Sequence, residues 1–536
     1  MKLVVRFIDK LELLFIEKNY LVLLLVLLVG FVFFKRIGWD MGVSPLIQSD
    51  SQIKLYQTVE YKAKGINFHH CYGSNSEFDL ENRFYPFRYP WAFFNVNQTG
   101  NSCVFQYPTL FAQFFSLMPI PYRMFNTIIF FLNLFLSGLV CYFLYSIFGI
   151  QKNGVLFLAA ILFFVGYGIS SALEFSESVP SQILLLSFFY AVFRIETEKS
   201  LSSGLLFLLG ICGGVSIFLR SESLFYLGGL GLMVLYRNRR SLFSLWKQYL
   251  PLVIGFILAV AILIFYNYVE FQEILGVRSK VSFNDFSRLA LEDRIHLVSE
   301  FFLGNQNRIG FLYYCFPILI ITIYAIFKLP LTTLQNNFIV VIFISFFSVV
   351  LLSPYSSGGL YSGMRFTEFT YLLFSIFLIS LFSLNLKQNE FRIVFCLILL
   401  QVGLGFFHVR KNVKTLDYVK KYHDLFQGKL ELYPKAPVVH LSTFDLLLVS
   451  DSFLKKPHWI ANKQSEFDVL ESKFIKNGIE NFQVFVYDFK PPKDDNVTSE
   501  FYNEWVDTKY EIESKYFQKV SDEEIAGFRL MLWEKK

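Results

Sequence analysis

Charge is what this sequence has least of: Asp, Glu, Lys and Arg make up 17% of its 536 residues, against about a quarter in a water-soluble domain. A disordered chain lacks aliphatic and aromatic residues, but this one is 54% hydrophobic and 19% aromatic, with 66 Phe and a mean hydropathy of +0.45. Soluble and disordered classes both fall away, and a polytopic membrane protein remains. No internal repeat or low-complexity linker is present, which argues against a solenoid or a loosely tethered array. Net charge is +6, yet Lys and Arg form no stripe or block, so nucleic acid is not an expected partner.

What the chain has in quantity is apolar runs, and about 20 mostly apolar residues are needed to cross ~30 Å of hydrocarbon as an α-helix. Eleven candidates lie near 20–34, 124–148, 154–173, 179–193, 201–219, 223–236, 249–268, 309–327, 337–353, 366–384 and 391–408. The first is followed by no small-residue cleavage site, so it reads as a retained anchor rather than a signal peptide. Positive charge collects on one side of these runs: Lys2, Arg6, Lys10, Lys18, Lys152, Arg194, Lys199, Arg237, Arg239, Arg240, Lys247, Lys328, Lys387 and Arg392. Opposite short loops hold only Arg220 and Arg365. The charge bias makes the N-terminus cytoplasmic, and eleven crossings put everything after residue 408 outside the cytoplasmic (inner) membrane.

The expected architecture is therefore an α-helical transmembrane domain over 1–408, with outer loops 37–123 and 270–308, and a small external, periplasmic domain over 409–536. In that tail the apolar runs Pro437–Leu441 and Phe482–Tyr487 alternate with a helical stretch around Glu466–Lys476, which predicts an α/β fold. Of six cysteines, Cys141, Cys212, Cys315 and Cys396 fall in apolar runs; Cys71 and Cys103 share the first outer loop, where an oxidising exterior favours a disulfide. His69 and His70 beside Cys71 match no zinc spacing.

Ionisable residues at a membrane boundary are costly unless they pair or work. Asp40, Asp50, Glu174, Glu177, Arg220, Glu222, Glu270, Arg278 and Arg365 all fall at the outer ends of the expected helices, and Glu368 one turn into its run. Ser49 and Gln52 have capping-box spacing, predicting a helix over roughly 49–64 that lies along the membrane surface with Asp50 in its first turn. Two readings stand for Asp50: a carboxylate that complements the helix dipole, or one that faces a substrate.

An outward Asp after the first membrane helix, then a surface helix and a long loop ending in another helix (Tyr107–Leu117), resembles the GT-C superfamily of integral-membrane glycosyltransferases. Further along, Glu174–Pro180 resembles their acidic outer turn and Leu219-Arg220-Ser221-Glu222 their Arg-x-Glu turn. Tyr266-Asn267 resembles the Tyr-Asn at a helix exit, and Gly358-Gly359-Leu360-Tyr361-Ser362-Gly363-Met364-Arg365 the late glycine-rich loop. The ordered match spans residues 1–408 and is nearest to uncharacterised glycosyltransferases of spirochaetes.

The resemblance implies transfer of one sugar from a polyprenyl-phosphate donor to a lipid, glycan or protein acceptor outside the membrane. Asp50, with Asp40 second, would be the general base of an inverting reaction. Arg365 and Arg220 would hold the donor phosphate through forked hydrogen bonds, with Glu177, Glu222 and Asn267 supporting the acceptor or the arginines. Asp50 and Arg365 are expected to meet at one outward-facing cavity. Simpler readings remain open: an Arg220 ion pair with Glu222 or Glu177 that closes a loop, and interfacial snorkelling of Arg365. Family members that use a divalent metal carry a tight Asp-x-Asp pair, which this chain lacks, so no metal or other cofactor is expected. The rival functions are a polysaccharide polymerase or ligase using a diphosphate-linked glycan, a lipid or solute transporter, and a non-catalytic membrane scaffold presenting the tail.

Overall fold

A computed structural model describes residues 49–66, 78–79, 83–86, 93–94, 104–105, 107–197, 201–239, 242–305, 308–354, 365–441, 449–487, 511–525 and 528–536. The first apolar run, Asp40, Cys71, Cys103 and the loop 358–364 lie outside these residues. The chain divides into two compact units, Met1–Val43 with Ile120–Thr415, and Ser44–Pro119 with Leu416–Lys536.

The described chain begins in the second unit with α1 (Ser49–Lys64), the short antiparallel pair β1 (Phe93–Phe94) and β2 (Val104–Phe105), and α2 (Thr109–Ser116). The first unit is helical: α3 (Phe125–Phe148), α4 (Asn153–Phe163), a π-turn (Phe164–Gly168), α5 (Ile169–Ala172), α6 (Ser178–Glu196), α7 (Ser203–Leu219), α8 (Ser223–Arg237) and α9 (Leu242–Phe271). There follow α10 (Val277–Arg288), α11 (Leu291–Leu303), the two-residue strands β3 (Gly304–Asn305) and β4 (Arg308–Ile309), α12 (Phe311–Tyr314), α13 (Phe316–Lys328) and α14 (Thr333–Leu352). A 3₁₀ turn (Arg365–Thr367) leads into α15 (Glu368–Ser380), and α16 (Gln388–Glu431) contributes its residues up to Thr415 to this unit. Among the described residues, α3, α6, α9, α14 and α16 are long and apolar enough to cross a membrane, and five further apolar helices are shorter.

Lipid offers no hydrogen bonds, so polar backbone freed within such helices must be satisfied by the protein. The run 154–173, expected as one helix, is helical almost throughout but changes register at the π-turn between α4 and α5. Carbonyls there are answered by side chains: Tyr371 Oη donates to Leu162 O at 3.1 Å, Tyr314 Oη to Gly166 O at 3.0 Å, and Asn133 Nδ2 to Gly168 O. Gly166 is required because a Cβ would sit 2.2 Å from the Tyr371 ring.

Between membrane helices apolar burial supplies little drive, and small residues allow close backbone approach instead. Helices α7 and α9 use that device at Gly210, Gly214 and Gly255. A Cβ on Gly255 would lie 2.0 Å from Phe207 O, and one on Gly210 would lie 2.1 Å from Leu252 O. Farther along, Glu196 at the end of α6 accepts from Asn238 Nδ2 at 2.8 Å and from Tyr249 Oη, and pairs with Arg237 at 2.8 Å. One buried carboxylate thus ties the ends of α6, α8 and α9.

In the second unit a five-stranded sheet has the order β6-β5-β7-β9-β8, with β5 (Val438–His440), β6 (His458–Ile460), β7 (Asn481–Tyr487), β8 (Phe517–Ile525) and β9 (Phe528–Lys535). The first three strands are mutually parallel and the last two antiparallel. Successive side chains alternate faces, so Val439, Trp459, Phe482, Val484, Met531 and Trp533 share one face. They pack with Phe467, Leu470 and Phe474, and with Phe78 and Phe84 from the first long loop. The three α-helical residues lie on Gln464–Lys476, and Phe84 O also accepts from Ile460 N at 2.9 Å, covering part of the edge of β6.

The other face carries His440, His458 and Phe485, the last against Phe426 of α16 at 5.2 Å between centroids. His440 Nε2 and His458 Nδ1 share a 2.7 Å hydrogen bond, and His458 Nε2 lies 3.0 Å from Ser452 Oγ. Burial holds His440 down at about 3 and His458 well below the usual histidine range. Helix α1 is buried from Ser51 to Tyr61 apart from the partly exposed Val59.

Two outcomes follow from this packing. Gly255→Ala should lower thermal stability in detergent by about 1–3 kcal/mol through overpacking, while Gly228→Ala, with nothing within 4 Å of its Cβ, should be neutral or slightly stabilising. The two histidines bind protons more readily unfolded than folded, so their contribution is full above about pH 6.5 and is lost as pH falls towards about 3. Hydrogen exchange on the full chain, corrected for intrinsic rate, should show β5 and β6 losing protection as pH drops through that window.

Candidate functional site

In the second unit, Asp50 occupies the first turn of α1 and is partly buried. Tyr107 Oη donates to Asp50 Oδ1 at 2.8 Å. One turn on, Lys54 is 1% exposed, with its ammonium 4.9 Å from the Tyr107 ring centroid. A carboxylate, a phenol and a cation therefore share one locality. Positions i and i+4 lie on one helix face, so Asp50 and Lys54 were legible as a pair, but the part of Tyr107 was not. The phenol fixes a carboxylate oxygen, which is how a base is held in a defined orientation.

In the first unit two of the sequence motifs, the turns at 174–180 and 219–222, converge with the entry to α15. Ser178 and Gln182 come from the start of α6, Arg220 and Glu222 from the α7–α8 turn, and Phe366 and Glu368 from the entry to α15; with Ser181, Ser223 and Tyr226 they line one cleft. Arg220 Nη2 pairs with Glu222 Oε1 at 2.8 Å, and its guanidinium carbon lies 5.9 Å from the Phe366 centroid. Burial pushes the Glu222 carboxyl up, but the Arg220 charge and hydrogen bond outweigh it, leaving the group below the ordinary carboxylate range. Glu368 is 3% exposed and accepts from Ser178 Oγ and from Gln182 Nε2 at 3.1 Å. Tyr226 Oη and Thr370 Oγ1 lie 2.8 Å apart beside it.

Glu177 is buried at the N-cap position of α6, next to Ser178. The backbone of Arg365 opens the 3₁₀ turn that delivers Phe366. Asn267 is buried near the exit of α9, where a Cβ on Gly276 (φ +82°) would meet its Nδ2 at 3.2 Å. Glu368 is the residue the sequence undervalued. Its signal was visible, as the sole acid in the run 366–384, but its partners sit 186 and 190 positions away. Among the described residues no group of three or more His, Cys, Asp and Glu is arranged to hold a metal ion. Cys141, Cys212, Cys315 and Cys396 are free thiols.

The arrangement matches a known structure over nearly its whole length. The crystal structure of ArnT from Cupriavidus metallidurans bound to undecaprenyl phosphate covers 96% of this chain and 97% of its own, with a TM-score of 0.54 at 11% identity. The fold is ArnT-like. It is the GT-C-like fold that the outer motifs resembled, and with its apolar helices it makes the chain a membrane protein. At this identity the likeness concerns the fold alone. No family model matches the sequence, and no curated protein matches it.

The cleft yields a stability test. A double-mutant cycle of Arg220→Ala and Glu222→Ala, read by thermal unfolding, should give a coupling of about 1–2 kcal/mol. Arg220→Ala alone should cost more than the double variant, since it strands a partly buried carboxylate.

Proposed function

We propose that this protein is a membrane glycosyltransferase that moves one sugar from a polyprenyl-phosphate carrier to an acceptor on the outer side of the cytoplasmic membrane. The observation that carries the proposal is the near-complete fold match to a protein whose structure holds undecaprenyl phosphate. The N-terminus is then cytoplasmic and residues 409–536 are external.

In the proposed reaction an acceptor hydroxyl attacks the anomeric carbon while Asp50 removes its proton. The bond from that carbon to the phosphate oxygen breaks, inverting the centre and releasing polyprenyl phosphate. Tyr107 donates to one Asp50 oxygen and so holds the carboxylate in a defined orientation for that step. The leaving phosphate gains charge, which a guanidinium with its fixed fork of donors suits. Arg365 takes that role, with Arg220 as the second phosphate-holding arginine. Glu177, Glu222 and Asn267 act as supports. Asp40 is the alternative base, and the Cys71–Cys103 bridge remains part of the proposed outer loop.

Asp50→Asn should lower kcat by about 10²–10⁴-fold with donor binding largely kept, because shape is preserved and the proton acceptor is removed. Arg365→Lys should weaken both binding and turnover, since a point charge cannot reproduce the fork. The assay is sugar transfer by purified protein alongside donor binding. Near-normal turnover of Asp50→Asn would move the base to Asp40 or sink the reading.

A further inference from the structure

Arg194 carries a charge that no described carboxylate balances. It stands two residues before the end of α6, a helix long and apolar enough to span a bilayer, where a charge is costly unless it finds a partner. The nearest described acid along that helix, Glu196, is taken by Arg237, Asn238 and Tyr249. Among the described residues no carboxylate pairs with Arg194, and its buried Nε meets no acceptor.

An arginine near a helix end ordinarily extends past it towards water. Arg194 is instead held sideways. Its Nη1 donates to Ser146 Oγ of α3 at 3.1 Å, and its guanidinium carbon lies 5.9 Å from the centroid of Tyr190, one turn back along α6. A row of hydroxyls runs on from there, with Ser146 Oγ 3.4 Å from Tyr190 Oη and Tyr190 Oη 3.3 Å from Tyr142 Oη. Each hydroxyl can donate and a guanidinium can only donate. The row therefore has donors in surplus, and a partner that only accepts, such as a phosphodiester anion, completes it.

The row has a packed back and an open front. Behind it Phe143 of α3, Phe193 of α6 and Phe338 of α14 meet pairwise, with centroids 5.2 to 6.0 Å apart, which fixes the two helix ends that carry the polar groups. In front, Tyr142 and Tyr145 are each 52% exposed, and the exposed positions continue back along α3 through Gly138, Phe135 and Phe131. That spacing is one helix face. A Cβ on Gly138 would have nothing within 4 Å, so this apolar stripe is notched between Phe135 and Tyr142. Tyr142 lies six residues before the end of α3, about 9 Å along its axis, and Arg194 about 3 Å before the end of α6. Those depths are where headgroups give way to acyl chains.

We propose that the C-terminal ends of α3 and α6 form a binding site for an anionic phospholipid. Arg194 and the hydroxyls of Tyr142, Tyr190 and Ser146 hold its phosphodiester, and one acyl chain lies along the Phe131–Phe135–Gly138 stripe. Cationic pockets between membrane helices recognise anionic headgroups in this way. In the orientation proposed above the leaflet is the cytoplasmic one. The inference takes only that leaflet's name from the proposed function and is independent of the reaction.

The test is native mass spectrometry of the full chain in detergent, titrated with dioleoyl phosphatidylglycerol or with phosphatidylcholine of the same chains. Phosphatidylglycerol should bind about fivefold more tightly. Arg194→Gln should lower its affinity about tenfold and Tyr142→Phe about threefold. Lys328→Gln, which removes an exposed charge at the end of α13, should cost less than about twofold. Equal binding of the two lipids by the parent protein would overturn the proposal, as would a loss with Lys328→Gln as large as with Arg194→Gln. Displacement of phosphatidylglycerol by excess inorganic phosphate would identify a soluble anion as the occupant and also overturn it. Each variant is first checked for a monodisperse profile matching the parent. If Arg194→Gln fails that check, Tyr142→Phe, which removes only a hydroxyl on an exposed ring, decides: unchanged phosphatidylglycerol affinity would reject the site.

Discussion

Polar atoms removed from water must find their partners inside the protein, and that requirement organises the helical unit. The carbonyls at the π-turn are answered by Tyr371, Tyr314 and Asn133. Glu196 gathers Asn238, Tyr249 and Arg237, and Glu368 gathers Ser178 and Gln182. In each case the partners come from other helices, so the hydrogen bonds that lower the cost of a polar group also fix helix positions. The cleft beside Arg220 is a product of the same rule.

Close packing supplies the complement. Where α7 meets α9, glycines let backbone touch backbone, and where Gly166 meets Tyr371 a ring fills the space a Cβ would need. The sheet of the second unit works by different physics. Its aromatic face is covered by Phe467, Leu470, Phe474, Phe78 and Phe84, and apolar burial from water is its main drive. On the reverse face the His440–His458 pair is stable as neutral imidazoles because burial disfavours their charged forms.

Element positions were largely legible, since hydrophobic run length and alternation are local signals. Helix 49–64, the helix near 107–117, the strands around 438–440 and 481–487 and the helix ending at Lys476 fall where the pattern puts them. What local pattern could not give was company. Nothing in the composition of 78–86 says that Phe78 and Phe84 complete the core of a sheet more than about 350 residues away. Nor does the amphipathic look of 53–64 reveal that Lys54 is buried against Tyr107. The motif turns at 174–180 and 219–222 do meet around one cleft, together with Phe366 and Glu368, because chains of membrane helices bring same-side loops together. Glu368 was visible as an acid one turn into its run but was given no role, and only its distant partners make it part of a site.

The account stands on the donor being a lipid monophosphate sugar. Purified protein in lipid should be incubated with a panel of polyprenyl-phosphate and polyprenyl-diphosphate sugars and acceptor extract, with and without chelator, and the released lipid quantified. Release of free polyprenyl monophosphate from one monophosphate-linked sugar, with stoichiometric sugar on the acceptor, is the predicted result. Turnover confined to diphosphate-linked glycans, with polyprenyl diphosphate as the product, would contradict it.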